Sequence, residues 1–207
     1  MIFLVSEEKK DKIIQAALRE FAEHGYEQAS TNEIVQEAGV SKGLLFHYFG
    51  SKKELFLSVF DYCIKCYEKI YRKYNLHKTS DVLERVLEGM MMKLKTQYQN
   101  PVITKLVTGA VLAPPEELET DIKARYTQLV AEYIPKLFED IDYTLFRDEI
   151  DQEKALDILM MSLEAIRKKY VEKYKDDVDQ GLLDMDQILA EMKEYVEILK
   201  YGLYKRK

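Results

Sequence analysis

The most constraining feature of this 207-residue chain is a pair of short helices joined by one glycine. The run "STNE" at residues 30–33 has a serine three positions before a glutamate, which is the capping-box pattern that begins a helix. Gly39 can adopt the left-handed conformation that ends this helix, and Ser41 can cap the next one. Two short helices separated by a glycine-containing turn predict a helix-turn-helix at about residues 31–50.

The second helix of this pair carries side chains that suit the major groove of DNA. Leu45 and Phe49 lie four residues apart and are expected to anchor the helix inward, so the residues around them face outward or sideways. Free N–H groups near Lys42 and Gly43 favour phosphate through the helix dipole, and a glycine lets the backbone approach a duplex closely. Lys42 can donate to guanine or phosphate, and Leu44 can contact a thymine methyl group.

Neighbouring residues suit contacts to the DNA backbone, although each also has a plainer interpretation. Tyr48 and Lys52 can reach phosphates, which position a protein on DNA without specifying sequence, and Thr31 can reach the phosphate on the other side. Phe46 and Tyr48 could instead be core aromatics, His47 a solvated surface residue, and Lys52 part of a solvated helix start. The turn, the glycine and the lysines occur together, and this combination favours DNA binding.

Charge is distributed unevenly along the chain, whose formal net charge is −6. Residues 39–53 contain three lysines, Lys42, Lys52 and Lys53, and no acidic residue. An anionic partner should therefore meet this segment, whereas the acidic remainder of the chain should repel it.

The composition of the whole chain is typical of an all-α protein. Leu, Glu, Lys, Ala and Met dominate, and no β-branched alternation is long enough to indicate a sheet. We expect about nine helices, with a three-helix DNA-binding domain at 7–67 and a larger helical domain at 68–207. No stretch approaches the roughly 20 apolar residues of a membrane span, so we expect a cytoplasmic protein without a membrane partner.

The residue types that would indicate an enzyme or a metal protein are not grouped in this sequence. We find no Ser/His/Asp grouping and no glycine-rich phosphate loop, so we expect no catalytic residues and no cofactor. Cys63 and Cys66 supply only two of the four ligands of a zinc site, and a disulfide in the middle of a helix is geometrically awkward. We interpret them as ordinary buried cysteines and expect no metal.

The helix-turn-helix segment resembles a known family of regulators. The run "TNEIVQEAGVSKGLLFHYFGSKKEL" (31–55) closely resembles the N-terminal signature of the tetracycline-repressor (TetR) family of bacterial transcription regulators. The run "AALREFAEHGYEQAS" (16–30) is similar to its first helix and following turn, so the resemblance covers about sixty residues. Two positions depart from the pattern: Val35 replaces the usual alanine, and Phe46 replaces a tyrosine whose hydroxyl could contact DNA. The resemblance implies that the DNA-contacting residues are Thr31, Asn32, Lys42, Gly43, Leu44, Phe46, His47, Tyr48 and Lys52.

The resemblance also implies a homodimer formed through the last two helices. The sequence has two strongly amphipathic segments near 151–174 and 184–204, which suit that role, although they could also pack only within one chain. A dimer of this kind would place two reading helices about one DNA turn apart, or a multiple of it, on a near-palindromic operator.

The family resemblance further implies an effector pocket among the middle helices. Methionine and aromatic side chains there could line an adaptable apolar cavity, although each is also explained by plain core packing. The candidates are Met90, Met91, Tyr98, Tyr126, Tyr133, Phe138, Met160 and Met161. We expect a repressor that a small apolar or aromatic effector releases from DNA. The alternative is an effector-independent architectural or division-linked DNA-binding protein on the same fold.

Overall fold

The computed structural model describes residues 2–73, 79–174 and 177–203, and within them the chain forms ten α-helices and no strand. Three single-turn 3₁₀ helices occur at Glu116–Leu118, Pro135–Leu137 and Tyr143–Leu145. The α-helices are α1 (Ile2–Gln28), α2 (Thr31–Ala38), α3 (Lys42–Phe49), α4 (Lys52–Lys73), α5 (Val82–Gln99), α6 (Pro101–Leu112), α7 (Glu119–Tyr133), α8 (Gln152–Lys173), α9 (Val178–Leu183) and α10 (Met185–Leu203). The all-α prediction is confirmed.

The expected count of about nine helices omitted α9, the shortest one. Six residues are too few for an apolar stripe to repeat, so periodicity could not predict this helix. Its start is fixed locally, because the side chain of Asp177 accepts a hydrogen bond of 3.0 Å from the N–H of Gln180. Helix α7 ends at Tyr133, and Pro135 begins a 3₁₀ turn.

One compact unit comprises the chain up to Tyr71 together with Asn100–Ala131. Within it, α1 packs against α2 and α6 and buries apolar side chains that include Ile14, Leu18 and Phe21. Phe21, Tyr26 and Phe56 form an aromatic cluster, with ring centroids 4.9 Å apart for Phe21–Phe56 and 5.3 Å for Tyr26–Phe56. This cluster packs α1 against α4, and α1 in turn packs against α2, which contacts α3.

The second compact unit comprises Arg72–Gln99 and the residues from Glu132 onward. Its core combines the inward faces of α5, α8 and α10, with Leu83, Leu94, Leu159 and Met192 among the fully buried side chains. The predicted division of the chain at 67/68 differs from this grouping, which places α6 and α7 with the helix-turn-helix. The compact units are groups of residues in contact, whereas the predicted division separates two domains. The domain boundary at 67/68 therefore stays a prediction.

Arg85 is a buried charge that no local sequence pattern predicts. Its side chain is 1% exposed and lies in α5 of the second unit. The guanidinium donates to the carbonyl oxygens of Thr79 (3.1 Å from Nε), Leu137 (3.4 Å) and Glu139. These bonds provide acceptors for the buried guanidinium, and they attach two irregular segments to α5.

Among the residues that the structure describes, no helix is both long enough and apolar enough to cross a membrane.

Candidate nucleic-acid interface

Hydrogen bonds at the end of α1 fix where α2 begins. The Glu20 carboxylate accepts the backbone N–H of Ser30 at 2.8 Å, and the hydroxyl of Ser30 accepts the N–H of Glu33 at 3.4 Å. The predicted capping serine is therefore the N-cap of α2. Arg19 of α1 also pairs with Glu37 of α2, so both ends of α2 are attached to α1.

The turn between α2 and α3 has the geometry that its glycine predicted. Gly39 adopts φ 64° and ψ 37°, the left-handed conformation that costs glycine little and other residues more. The N–H of Val40 donates to the carbonyl of Val35 at 3.0 Å, which closes the turn. Ser41 then caps α3 by accepting the N–H of Leu44 at 3.2 Å. The helix-turn-helix at 31–50 is therefore built from local interactions at both helix starts.

Burial divides α3 into an anchoring face and an open face. Leu45 and Phe49 are buried, which confirms their predicted role as anchors. The DNA-contact candidates on α3 occupy the other positions. Lys42, Gly43 and His47 are exposed, and Leu44, Phe46 and Tyr48 are half-buried.

Gly43 has no packing partner that would explain its small size. A Cβ atom added there would meet no atom of the described chain within 4 Å outside its own helical turn. Its backbone is helical, so no unusual φ requires glycine either. Glycine is a poor helix former, costing about 1 kcal/mol relative to alanine, and nothing within the described protein offsets that cost. An external partner that approaches the backbone closely would explain this residue.

The starts of α2 and α3 are joined through Asn32 and Lys42. The Lys42 ammonium donates to the side-chain oxygen of Asn32 over 2.9 Å, and both residues are exposed. Thr31, the first residue of α2, is half-buried beside them. Three of the predicted contact residues therefore lie together at the N-terminal ends of the two helices, where backbone N–H groups favour anions.

Lys52 is held in place by the end of α1. Its ammonium donates to the carbonyl oxygen of Glu27 at 3.1 Å and lies 5.1 Å from the centroid of the Tyr26 ring. Neither partner is a carboxylate, so the charge of Lys52 is positioned without being neutralised. This arrangement suits a contact to phosphate.

Lys53, the third lysine of residues 39–53, differs from Lys52 because its charge is paired with a carboxylate within the protein. Lys53 lies 3.1 Å from the Asp121 carboxylate and donates to the carbonyl oxygen of Glu117 at 3.2 Å. The hydrogen bond from Lys53 lowers the pKa of Asp121 below its usual value. The segment is therefore free of acids only in sequence, and the expectation that an anionic partner meets this segment stays a prediction. Asp121 is 68 positions away, which no local pattern could reveal.

The pocket candidates are divided between the two compact units. In the second unit, Met90 and Tyr98 belong to the core, and Met91, Phe138 and Met160 pack against it. Tyr133 is also buried in that unit, whereas Met161 is 65% exposed. Tyr126 lies in the first unit and is half-buried. The prediction that these residues line one effector pocket stays a prediction.

Tyr98 is the most firmly fixed of these candidates. Its hydroxyl donates to the backbone carbonyl of Tyr170 at 2.9 Å, and its ring meets that of Tyr174 edge-on at 6.1 Å. Burial raises the pKa of Tyr98 to about 12, so the side chain stays neutral under ordinary conditions.

A cleft that the sequence analysis missed lies between α4 and α7 in the first unit. It has a volume of about 160 Å³ and is lined by Asp61, Ile64, Lys65, Glu68, Arg125, Gln128 and Leu129. Arg125 donates to the Asp61 carboxylate at 2.8 Å and lies 3.4 Å from that of Asp121. These charged residues pair with one another across 64 positions of sequence, so only the folded chain reveals them.

The two cysteines are consistent with the structural role predicted for them. Cys63 is buried, Cys66 is half-buried, and neither forms a disulfide. Burial raises the pKa of the Cys63 thiol to about 12, and the neighbouring Cys66 adds to the rise. Within the described ranges, no group of three or more His, Cys, Asp or Glu side chains is arranged to hold a metal ion.

Comparison with known families finds matches over most of the chain. Residues 13–59 match the family model of "Bacterial regulatory proteins, tetR family". Residues 78–204, more than half of the chain, match the model of "Tetracyclin repressor-like, C-terminal domain". The HTH-type transcriptional repressor AcnR of Corynebacterium efficiens is 44% identical over 50 residues. That match spans only 24% of this chain and 27% of the relative.

Solved structures share the fold over nearly the whole chain. A TetR family transcriptional regulator from Chloroflexus aurantiacus superimposes with a TM-score of 0.67 at 22% identity, covering 97% of this chain and 95% of its own. The transcriptional regulator FadR of Bacillus subtilis, crystallised with stearoyl-CoA, gives a TM-score of 0.59 at 15% identity, covering 88% of this chain and 97% of its own.

Proposed function

Because this chain belongs to the TetR family of DNA-binding transcription regulators, we propose that it is a repressor that binds a near-palindromic operator as a homodimer. The observation that carries this proposal is the open face of α3. On that face an exposed lysine and an otherwise unexplained Gly43 stand at a helix start that is anchored from below by Leu45 and Phe49. Such a helix can lie against a duplex without distorting its own domain.

The predicted contacts divide into base contacts and phosphate contacts. Lys42 and Leu44, in the first turn of α3, are the base-reading candidates. The phosphate candidates are Lys52, Thr31 and Tyr48. The positions of Lys52 and Thr31 at helix starts support this role, and Tyr48 lies near the end of α3. The remaining candidates, Asn32, Gly43, Phe46 and His47, lie around these positions.

The homodimer is supported by the outer faces of α8 and α10. Ile158 and Met161 lie one turn apart on α8 and are exposed, although Leu159 on the same helix is buried in the core. Ile198 and Tyr201 have the same spacing on α10 and are also exposed. Apolar side chains grouped on two neighbouring helices are unusual on a monomer and suit a self-complementary interface.

A small apolar or aromatic effector is proposed to release this repressor from DNA. Flexible methionines at positions 90, 91 and 160 support an adaptable binding site, because a thioether chain can repack around a ligand. One observation favours the effector-independent alternative: Met90 and Tyr98 are buried in a packed core. A thermal-shift panel that includes fatty acyl-CoA thioesters distinguishes the effector-released repressor from the effector-independent protein. Only a protein that binds a ligand should unfold at a higher temperature when that ligand is added.

The DNA-binding proposal is tested by selecting binding sites from a random duplex pool with the full chain. We expect an enriched site with two inverted halves and an affinity that falls steeply with salt. Leu44→Ala should change the selected sequence at one position of each half-site. A pool that shows no enrichment, or a single half-site without its inverted copy, would count against an operator-binding dimer.

A further inference from the structure

We propose that Asn32 positions Lys42, and that the two side chains act as one donor-rich unit that selects guanine in the operator. This inference deepens the proposed DNA-binding function and rests on it. The observation behind it is the 2.9 Å hydrogen bond from the Lys42 ammonium to the Asn32 side-chain oxygen. The bond joins the second residue of α2 to the first residue of α3.

The bond holds a lysine where it would not otherwise stay. The start of a helix carries a partial positive charge, so an unrestrained ammonium at the first residue of α3 would move away into water. The side-chain oxygen of Asn32 holds the ammonium close to the N-terminal ends of α2 and α3. Without Asn32, Lys42 would sample many conformations and lose that ordering each time it contacted DNA.

A neutral partner, which Lys42 shares with Lys52, distinguishes it from several other cations of the first unit. Lys53 pairs with Asp121, Arg19 with Glu37, and Lys105 with Glu23 at 2.8 Å. An amide oxygen orients the Lys42 ammonium and leaves its charge uncompensated. The lysine therefore remains available to an electronegative partner, whereas a carboxylate at position 32 would have satisfied it within the protein.

The bond also fixes which way the Asn32 amide faces. A lysine ammonium has only donors, so the amide must turn its oxygen toward Lys42. The NH₂ group of Asn32 is then on the side of the amide away from the ammonium. Toward DNA, the pair then presents the remaining N–H donors of Lys42 and those of Asn32. Its only acceptor is the Asn32 amide oxygen, which is turned toward Lys42 and has one of its two lone pairs engaged.

A donor-rich unit matches guanine better than the other three bases. Guanine presents two acceptors, O6 and N7, in the major groove, whereas thymine presents one acceptor beside a methyl group, and adenine and cytosine each present an amino group that needs an acceptor. The usual reading of adenine by asparagine uses the amide oxygen, which here is turned toward Lys42. Asn32 thus selects against adenine and for guanine through the lysine that it holds.

The test uses the full chain and a duplex with the selected operator. The relevant base pair is the one whose preference disappears in Lys42→Ala. Affinities are then measured for wild type, Asn32→Ala, Lys42→Ala and the double variant, with guanine, 7-deazaguanine or adenine at that position. Gln36→Ala, an exposed position one turn along α2, is the matched control, and Asn32→Gln is the conservative variant that retains an amide oxygen.

We expect the wild type to prefer guanine over both other bases by roughly five- to 100-fold. Asn32→Ala should lose most of that preference, and the double variant should behave like Lys42→Ala, because the two residues act through one contact. The slope of affinity against salt should stay unchanged in Asn32→Ala, since no charge is removed. Asn32→Gln should recover part of the preference, and Gln36→Ala should keep all of it.

Two results would overturn the inference while the proposed function stands. One is an Asn32→Ala protein that retains the full guanine preference, and the other is a pair of losses that simply add in the double variant. A wild-type protein that selects no sequence at all would instead overturn the proposed function, and this inference with it.

Discussion

Lys52 and Lys53 are adjacent in sequence but have opposite surroundings. Lys52 is held by a carbonyl and an aromatic ring, whereas Lys53 faces the carboxylate of Asp121. We expect Lys52→Ala to weaken binding evenly across DNA sequences and to reduce the salt slope by about one per protomer. Lys53→Ala removes the same formal charge and should change both quantities much less. Binding isotherms at several salt concentrations measure the difference, and equal effects of the two variants would contradict the assignment.

We expect the Cys63 thiol to be unreactive toward thiol reagents while the protein is folded. With its pKa raised to about 12, only about one thiol in ten thousand is ionised at pH 8, and the thiolate is the reactive form. The raised value also favours the folded state below the ordinary thiol pKa of about 8.5, and this contribution is lost as the pH rises toward 12. A thiol reagent at pH 8 should therefore label the half-buried Cys66 first and Cys63 only on unfolding. Cys66→Ser should remove the fast phase, and a fast phase that persists would contradict this prediction.

The limits of sequence reasoning are clear at these residues. Ser30, Ser41 and the two anchors of α3 could be predicted because capping and helical spacing act within a few positions. The carboxylate partner of Lys53 and two carbonyl partners of Arg85, those of Leu137 and Glu139, are 52 to 68 positions away, and packing alone brings them together. A local sequence pattern shows that a residue is charged, but it does not show which residue becomes its partner in the fold.

At the scale of elements, α9 depends on a glycine rather than on an apolar stripe. A Cβ atom on Gly181 would lie 2.7 Å from the ring of Tyr98 and 3.0 Å from Tyr174. Tyr98 cannot easily move aside, because its hydroxyl is bonded to the carbonyl of Tyr170. The close approach of α9 to α5 therefore requires glycine at this position.

We expect Gly181→Ala to lower the free energy of unfolding by about 1–3 kcal/mol, because the added methyl group overpacks the contact with Tyr98. Gly109→Ala is the matched control, since Gly109 lies inside α6 with no atom of the described chain near its Cβ position. That change should stabilise the protein by up to about 1 kcal/mol through helix propensity. Urea unfolding of both variants measures the two signs. A neutral or stabilising Gly181→Ala would show that α9 can shift away from Tyr98.

At the scale of the whole molecule, the sequence predicted the order and type of the long helices well. Each long helix has either a cap or an apolar repeat; for example, Asp151 accepts the N–H groups of Glu153 and Lys154 at the start of α8. The same repeat could not show how much of each apolar face stays exposed. That question decides between a monomer and a dimer, and it depends on how α8 and α10 pack on α5.

The last prediction concerns this exposed face. Met161 and Ile198 are 65% and 67% exposed on α8 and α10, so burying them against a second copy would remove apolar surface from water. We expect the wild type to be a dimer by sedimentation, and Met161→Asp combined with Ile198→Asp to shift it to monomer. Because a repressor of this type binds two half-sites as one unit, the variant should also lose most of its operator affinity.

Leu112→Asp is the matched control for that experiment. Leu112 is 79% exposed on α6, outside the face formed by α8 and α10, so its replacement should leave both the dimer and the operator affinity unchanged. If the double variant stayed dimeric, the interface would lie elsewhere. If the wild type were monomeric at the concentrations that bind DNA, each protomer would read its half-site independently. The operator would then need no inverted repeat.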